Sequence, residues 1–406
     1  MRELGKVRSL LSNSKFILVD SVFLLFSILK IVCKSSGKNF FVVESRGFGH
    51  TVMQPHMARS LLGSDIHLIF LLTEKRHNFR IATIFPGPIS IIKRDKFFSL
   101  LVGRNLKHNI YVSERIVLKA LRTVLPITRR KVHSERDLIS LTTQDFSMRY
   151  PMTGLYYLIL ENGRIMKKSA IRNSIDTQFF QDEGNFSKSI GFYLRKKGQI
   201  VDLGDSGRSS SSFANQVPII EKCLESGFKV FLYGELPSKT EVDAFFKERP
   251  VFTHQSFSIN KEIWDLWVPI STTGVVGAAG GGMVLPVSFG VKCLVLDGFG
   301  YWYAIPNSLH TFRLIKRQNG SLEDPRHYMQ KDPWYLEINK GDAIVDVPMP
   351  IKLKALEEFF EFLENNLQGV GLHREKLHKD NWFFWAKTAQ VAPSYLKFLD
   401  TLKDWE

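Results

Sequence analysis

The sequence has few cysteines, and it lacks the motifs that mark several common enzyme classes. Its three cysteines, Cys33, Cys223 and Cys293, are far apart, and none belongs to a CxxC pair. This usage argues against a disulfide framework or a structural zinc site and fits a reduced cytoplasm. HExxH, GxSxG and any repeat of roughly 20–50 residues are also absent. We therefore expect no metal site and no resident cofactor.

Acidic residues are scarce relative to basic ones. The 406 residues include 55 lysines and arginines against 40 aspartates and glutamates, which gives a net charge of +15. Such a charge favours nucleic acid, an anionic membrane face or phosphorylated substrates as partners. Because the basic residues are spread along the chain, without a compact tract that interleaves aromatics, we expect no nucleic-acid partner.

The N-terminal apolar run, residues 16–32, is marginal for a membrane span. It covers about 17 residues, the lower edge of what a span requires, and Asp20 and Lys30 interrupt it. No small-residue cleavage site follows, which argues against a secretory signal peptide. Basic flanks favour a helix lying on the cytoplasmic face of the cell membrane, with residues 1–38 contacting an anionic surface. A true span and an amphipathic helix packed on the protein are the alternatives.

The rest of the sequence alternates apolar strands with helices, as α/β domains do. Strand–loop–helix–strand units begin near residues 39 and 189, and strands near 229, 275 and 291 follow. This alternation predicts parallel sheets with right-handed crossovers, and the length suggests about two domains. We expect a membrane-associating segment at 1–38, an N-terminal α/β domain at 39–187, a C-terminal α/β domain at 188–350, and helices at 351–406 that pack back on the N-terminal domain.

The segment from Ile270 to Gly298 predicts a strand, a glycine loop, a helix and a second strand. Gly280, Gly281 and Gly282 form the loop, and residues 283–289 form the predicted helix. A glycine loop that opens a helix presents unpaired backbone N–H groups and can bind a diphosphate. This loop matches neither GxGxxG nor the Walker pattern. A tight turn that needs glycine only for its geometry is an equally good interpretation.

Further polar residues are predicted to share an edge of the second sheet with this loop. Ligands of open α/β sheets bind at the carboxyl ends of the strands, where arginines suit a diphosphate and an acid suits ribose hydroxyls. Taken singly, most of these residues would be structural, but their convergence favours a donor-binding site. The candidates are Arg195, Arg208, Glu235, Ser271, Gly280, Gly281 and Gly282.

A second candidate loop follows the first predicted strand of the N-terminal domain. Arg46, Gly47, Gly49 and His50 lie there, just before or within the next helix. We assign Arg46, Gly47 and Gly49 to the acceptor side. His50 is the candidate general base, and a capping or solvated histidine is the alternative.

On these residues the chain resembles a family of bacterial GT-B glycosyltransferases associated with surface-polysaccharide (capsule or O-antigen) biosynthesis. The resemblance rests on the segments 191–195, 227–234 and 280–297 and on Arg208, and more loosely on the loop 46–50. It implies two Rossmann-type doubly wound domains facing a central cleft. It also implies transfer of a sugar from a nucleotide sugar to a growing surface glycan or lipid-linked glycan.

The resemblance further implies a metal-independent reaction. Arg195, Arg208 and the glycine loop would stabilise the nucleoside diphosphate leaving group, and His50 would act on the acceptor hydroxyl. Because no close copy of the E-x7-E signature is present, we expect an inverting displacement. Two alternatives remain open: a GT-B-fold nucleotide-sugar epimerase or related transferase, and a non-catalytic, membrane-associated interaction protein on the same scaffold.

Overall fold

The computed structural model divides the chain into two compact units, residues 1–147 and 148–406. The residues that it describes are 28–33, 38–43, 48–72, 79–85, 87–93, 118–119, 121–122, 131–140, 155–157, 159–160, 162–167, 183–195, 212–298, 305–323, 341–366, 370–371 and 389–402. Residues 148–187, expected in the N-terminal domain, group with the second unit. The Met166 N–H donates to the Ser288 carbonyl at 2.7 Å, and the Tyr156 hydroxyl bonds the Ser288 hydroxyl, which ties this segment to the second unit.

The first unit is built on a parallel sheet. Its strands are β1 (Phe40–Val43), β2 (His67–Leu72), β3 (Ile89–Lys93) and β4 (Val132–His133), in the order β3-β2-β1-β4. Helix α1 (Phe48–Leu62) connects β1 to β2, and α2 (Glu135–Ser140) follows β4. β1 and β2 are buried along their whole length, as expected for strands of a parallel sheet covered on both faces.

The described end of the N-terminal apolar run packs on this unit. Residues 28–33 are helical, with Ile28 and Val32 buried and Leu29 and Lys30 exposed. Ile28 and Val32, one helical turn apart, join the core around Phe40. This pattern agrees with the alternative of an amphipathic helix packed on the protein. Among the described residues, no helix has the length and hydropathy to cross a membrane.

The second unit contains an eight-stranded sheet and a small three-stranded one. The strands are β5 (Ser189–Leu194), β6 (Lys229–Gly234), β7 (Val251–Phe252), β8 (Gly274–Ala278), β9 (Cys293–Gly298), β10 (Ser308–Phe312), β11 (Leu314–Lys316), β12 (Leu322–Glu323), β13 (Ala343–Val345), β14 (Val370–Gly371) and β15 (Gln390–Val391). The large sheet has the order β14-β15-β10-β9-β8-β5-β6-β7. It is parallel except for the edge pair β14–β15. The small sheet, β12-β11-β13, is antiparallel.

Helices connect and cover these strands. They are α3 (Glu183–Phe186), α4 (Phe213–Glu225), α5 (Lys239–Phe246), α6 (Lys261–Ser271), α7 (Val284–Ser288), α8 (Met349–Leu363) and α9 (Pro393–Leu402). Two have side-chain caps: Ser238 accepts from the Glu241 N–H before α5, and Asn260 accepts from the Glu262 N–H before α6. Such caps satisfy N–H groups that a helix leaves unpaired at its start.

The segment 351–406, predicted to be helical, also contains a strand. Gln390 and Val391 form β15, and the last described helix begins at Pro393. Proline suits the first position of a helix, where no N–H is needed. Phe359 of α8 and Tyr395 of α9 lie in the same core as the β5 residue Ile190. The segment expected to pack on the N-terminal domain thus contributes two helices to the core of the second unit.

Both parallel sheets reverse their strand order at one point. In the second unit the chain runs through β5, β6 and β7 toward one edge and then returns to β8, β9 and β10 on the other side of β5. In the first unit β2 and β3 lie on one side of β1, and β4 lies on the other. This topology confirms the predicted α/β class with parallel, Rossmann-like sheets. The reversal creates a crevice at the carboxyl ends of the two central strands.

Candidate functional site

The candidate site lies at the reversal point of the second sheet. β5 ends at Leu194 and leads into Arg195, while β8 ends at Ala278 and leads into the glycine loop. The two strands are parallel neighbours, with Tyr193 opposite Gly277. Arg195 and the loop therefore leave the sheet at the same edge, as the sequence predicted.

The glycine loop packs against the ring of Tyr193, a residue that the sequence did not single out. A Cβ on Gly282 would lie 2.3 Å from Tyr193 Cε2, and a Cβ on Gly277 would lie 2.6 Å from Tyr193 Cβ. The hydroxyl of Tyr233, which is opposite Tyr193 on β6, donates to the Gly282 carbonyl at 3.3 Å. Gly282 is therefore needed for close approach to this ring, and Gly277 for close approach to the Cβ and backbone of Tyr193, which agrees with the geometric interpretation of the loop.

Gly280 differs because the space beside it is bordered by two polar groups. A Cβ on Gly280 would lie 3.2 Å from Arg195 Nη1 and also 3.2 Å from Tyr193 Oη. The guanidinium and the phenol thus converge on one point in front of the loop. The φ of Gly280 is 175°, an extended value that any residue adopts. What glycine provides here is close approach of the backbone to the Tyr193 ring and the Arg195 guanidinium, and not a special backbone conformation.

The surroundings keep the Tyr193 hydroxyl protonated. Burial raises the pKa of Tyr193 above its ordinary value, and the nearby carboxylates of Glu235 and Asp265 act in the same direction. The positive charge of Arg195 and the nearby Gly282 backbone oppose this shift. A protonated phenol can donate a hydrogen bond to an acceptor.

Glu235 is placed by a left-handed turn at the end of β6. Gly234 has a φ of +92°, and a Cβ on it would lie 2.5 Å from the Leu194 carbonyl oxygen, so only glycine fits. The Glu235 N–H then donates to the Leu194 carbonyl at 2.9 Å. Asp265 on α6 anchors the turn, since its carboxylate accepts from the Gly234 N–H at 3.0 Å and pairs with Lys261. Glu235 therefore lies beside Arg195 at the same sheet edge.

The helix after the glycine loop is shorter than predicted. A 3-10 turn covers Gly281–Met283, and α7 spans only the five residues Val284–Ser288. The Met283 N–H is already bonded to the Gly280 carbonyl at 3.0 Å. So short a helix has little macrodipole, and its start would contribute little to binding an anion. The prediction that Gly280, Gly281 and Gly282 bind the donor stays a prediction, and the polar side chains beside the loop are the stronger candidates for contacts with a ligand.

Ser271 does not belong to this edge. It is the last residue of α6, and β8 begins only at Gly274, which is opposite Ile190 near the start of β5. Ser271 thus lies at the amino edge, one full strand length away from Arg195. There it lines an open cleft with Lys292, whose ammonium donates to the Phe362 carbonyl at the end of α8. The prediction that Ser271 shares the donor crevice is wrong.

The acceptor-side candidates belong to the first unit. Gly49 is buried and His50 is half-buried, and both lie in the first turn of α1. This turn follows β1, one of the two central strands where the order of the first sheet reverses. Arg46 and Gly47, and Arg208 of the donor set, lie outside the described residues, so their roles stay predictions.

The sequence did not single out two residues of the candidate site. Tyr193 lies two positions before Arg195 at the end of β5, a spacing that places side chains on the same face of a strand. That alternation was a usable signal for Tyr193. The signal for Asp265 was weaker, since it is only a carboxylate four residues after Lys261 on the same helix. Its contact with Gly234 depends on how α6 packs against β6, which the sequence does not reveal.

Two of the three cysteines are core residues, whereas Cys33 is exposed. Cys223 and Cys293 are fully buried, and burial raises the pKa of both thiols, which makes them unreactive core residues. Within the described ranges, no three His, Cys, Asp or Glu side chains cluster as metal ligands would.

Comparisons with known proteins leave the family open. No protein-family profile matches the sequence, and a search of curated proteins returns no match. Among solved structures, a glycosyl transferase family 9 protein from Veillonella parvula is 10% identical over 73% of this chain and 92% of its own, with a TM-score of 0.40.

Two further structures are similarly distant. The E. coli heptosyltransferase WaaC with ADP-2-deoxy-2-fluoro heptose is 13% identical over 67% of this chain and 92% of its own, with a TM-score of 0.37. A Listeria monocytogenes protein described as a UDP-N-acetylglucosamine 2-epimerase is 9% identical over 91% and 96%, with a TM-score of 0.35. At these identities and TM-scores, the likenesses carry no argument about what this chain does.

Proposed function

We propose that this chain is a glycosyltransferase that moves a sugar from a nucleotide sugar to a growing surface glycan or lipid-linked glycan. The observation that most supports it is the close approach of the Arg195 guanidinium and the Tyr193 hydroxyl to Gly280, at the reversal point of a parallel sheet. A guanidinium beside a side-chain-free loop suits a phosphate oxygen. The choice of a sugar as the transferred group follows the sequence resemblance to GT-B enzymes.

The donor would lie along the carboxyl edge of the second sheet. Glu235 would accept hydrogen bonds from the ribose hydroxyls, as acids at strand ends do in dinucleotide folds. Arg195 and Arg208 would hold the diphosphate, and their charge would stabilise the leaving group as the glycosidic bond breaks. In this proposal no metal is required, because the two arginines supply the positive charge.

The acceptor would meet the first unit at the loop before α1. Its hydroxyl must lose a proton as it attacks the sugar, so a base within hydrogen-bond reach is required. His50 is the best candidate, with Arg46, Gly47 and Gly49 beside it in the sequence. We propose a direct displacement by the acceptor, which inverts the anomeric configuration.

We also propose that residues 1–38 bring the protein to the cytoplasmic face of the cell membrane. The burial of Ile28 and Val32 leaves Leu29 and Lys30 on the exposed side of the described helix, and further basic residues precede it in the sequence. The full chain should then sediment with vesicles that contain phosphatidylserine and release them in high salt. Equal sedimentation with pure phosphatidylcholine vesicles would contradict an electrostatic attachment.

Thermal unfolding of the full chain with UDP, GDP, CDP or ADP tests the donor class. A ligand at about 100 times its Kd adds roughly 2.7 kcal/mol to the free energy of unfolding, which corresponds to a Tm rise of about 5–10 °C. We expect such a rise with one nucleoside diphosphate, without added magnesium. No rise with any of the four at millimolar concentration would contradict the proposed function and favour an interaction protein.

Product analysis separates a transferase from the epimerase alternative. The stabilising nucleotide defines a set of nucleotide sugars, which are incubated with the protein in the absence of acceptor. A transferase leaves the sugar configuration unchanged and at most hydrolyses the donor slowly. Conversion of the free nucleotide sugar into its epimer would overturn the transferase proposal while leaving the donor crevice intact.

A further inference from the structure

We propose that Tyr193 binds the donor diphosphate directly, its hydroxyl and the Arg195 guanidinium holding the β-phosphate in front of Gly280. This inference rests on the proposed function and adds a residue to its donor site. The sequence alone predicts two arginines and loop N–H groups as the phosphate contacts. The structure indicates a phenol as a further donor.

The contacts around Gly280 carry the inference. Arg195 Nη1 and Tyr193 Oη each lie 3.2 Å from the point where a Cβ on Gly280 would stand. A phosphate oxygen just beyond that point would be within reach of both donors, because hydrogen bonds to ionised acceptors span about 2.5–2.9 Å. No side chain of the loop occupies this space, since residues 280–282 are all glycine.

The packing of the loop explains why a phenol faces this point. Gly282 lies against the Tyr193 ring, since a Cβ on it would stand 2.3 Å from Tyr193 Cε2. The Tyr233 hydroxyl donates to the Gly282 carbonyl at 3.3 Å and holds the loop against the sheet. These contacts fix the phenol in place.

The charges facing Tyr193 are consistent with this role. Burial raises the pKa of the hydroxyl, so the group is a neutral donor at physiological pH. Of the nearby acids, Asp265 is already engaged by Lys261 and by the Gly234 N–H. Glu235 lies after β6, one strand beyond β5 in the sheet. Because neighbouring strands lie roughly 5 Å apart, a nucleotide can place its ribose at Glu235 and a phosphate at Tyr193.

Tyr193→Phe in the full chain tests the proposal, because it removes the hydroxyl and keeps the ring against Gly282. Isothermal titration would compare the nucleoside diphosphate that stabilises the wild type with its monophosphate. We expect the diphosphate Kd to rise about tenfold, the effect of one hydrogen bond to a charged group, and the monophosphate Kd to change less than twofold. Tyr395→Phe is the matched control, since that buried hydroxyl donates to the Phe312 carbonyl at 2.8 Å.

Each other outcome overturns a defined part of the account. No binding of any diphosphate by the wild type overturns both the proposed function and this inference. Wild-type binding that Tyr193→Phe leaves unchanged overturns this inference alone. An equal loss for diphosphate and monophosphate would mean that Tyr193 only supports the loop.

A second variant, Gly280→Ala, fills the space and keeps both polar groups. The extended φ of Gly280 accepts alanine, and the neighbouring atoms at 3.1–3.2 Å need to move only slightly, so the variant should fold. We expect it to lose diphosphate binding at least tenfold while its circular dichroism stays native. Undiminished binding by a folded Gly280→Ala would overturn the inference even if Tyr193→Phe proved unstable.

Discussion

At the scale of single residues, the proposed donor site depends on polar groups at the ends of adjacent strands. Glu235 can be tested separately from the phosphate contacts. Glu235→Gln should raise the Kd of the bound nucleoside diphosphate about 10–100-fold, because hydrogen bonds to a charged acceptor contribute about 1.5–3 kcal/mol. The same variant should bind the 2′,3′-dideoxy nucleotide as the wild type does. Titration calorimetry measures both, and an equal loss for the two ligands would contradict a ribose contact.

His50 is the residue on which the chemical step of the proposal depends. His50→Ala should lower the transfer rate about 10²–10⁴-fold, the usual contribution of a general base, and leave the donor Kd unchanged. Steady-state transfer assays and titration of the donor check the two halves of this prediction. Transfer at close to the wild-type rate would show that His50 is a capping or solvated histidine, the alternative open from the sequence.

At the scale of elements, the glycine loop and β5 form one packed unit. Gly282→Ala places a methyl group against the Tyr193 ring and should lower the free energy of unfolding by about 1–3 kcal/mol, as overpacking does. In a Tyr193→Ala background the ring is gone, so the same substitution should cost much less. Denaturant unfolding of the four proteins gives this coupling, and additive costs would contradict the contact.

The sequence predicted the strands well and the site only in part. Apolar runs such as those of β5 and β6 were found because buried parallel strands are nearly continuous in hydrophobicity. The apolar run after the glycine loop does not distinguish a 3-10 turn followed by a five-residue helix from one longer helix, because apolar residues favour all of these. Ser271 was misplaced because it is near the loop in sequence, while β8 carries the chain across the sheet between them.

The same limits apply to the candidate site. Arg195 and Glu235 follow strands, so the strand ends alone were enough to place them at the carboxyl edge of the sheet, where ligands of such folds bind. Tyr193 lies inside a strand, where an aromatic residue is normally a core residue. Its contact with Gly280 and Gly282 joins residues that are far apart in the sequence, so spacing along the chain does not predict it.

At the scale of the whole molecule, folding should weaken in mild acid. His310 in β10 is fully buried, and burial lowers its pKa to about 4. The unfolded chain, with a pKa near 6.5, binds a proton there that the folded chain does not. The free energy of unfolding should therefore fall as the pH drops from about 6.5 toward 4, by about 2 kcal/mol at pH 5.

His310→Gln isolates this contribution. The variant is expected to lose some stability at neutral pH, because the ring packs against Phe312 and bonds the Ile305 carbonyl. Its stability should nevertheless change less between pH 7 and pH 5 than that of the wild type, since glutamine does not titrate. Urea unfolding at several pH values measures the slope, and an unchanged slope would assign the acid sensitivity to other groups.

The central claim is that the carboxyl edge of the second sheet binds a nucleoside diphosphate through Arg195. The most direct measurement is titration of that diphosphate into the full-length wild type, Arg195→Ala and the control Arg249→Ala. Arg249 pairs with Glu221 and precedes β7, at the opposite edge of the sheet. We predict binding by the wild type and by Arg249→Ala, and a loss of at least tenfold in Arg195→Ala. Equal Kd values for all three proteins would contradict the account.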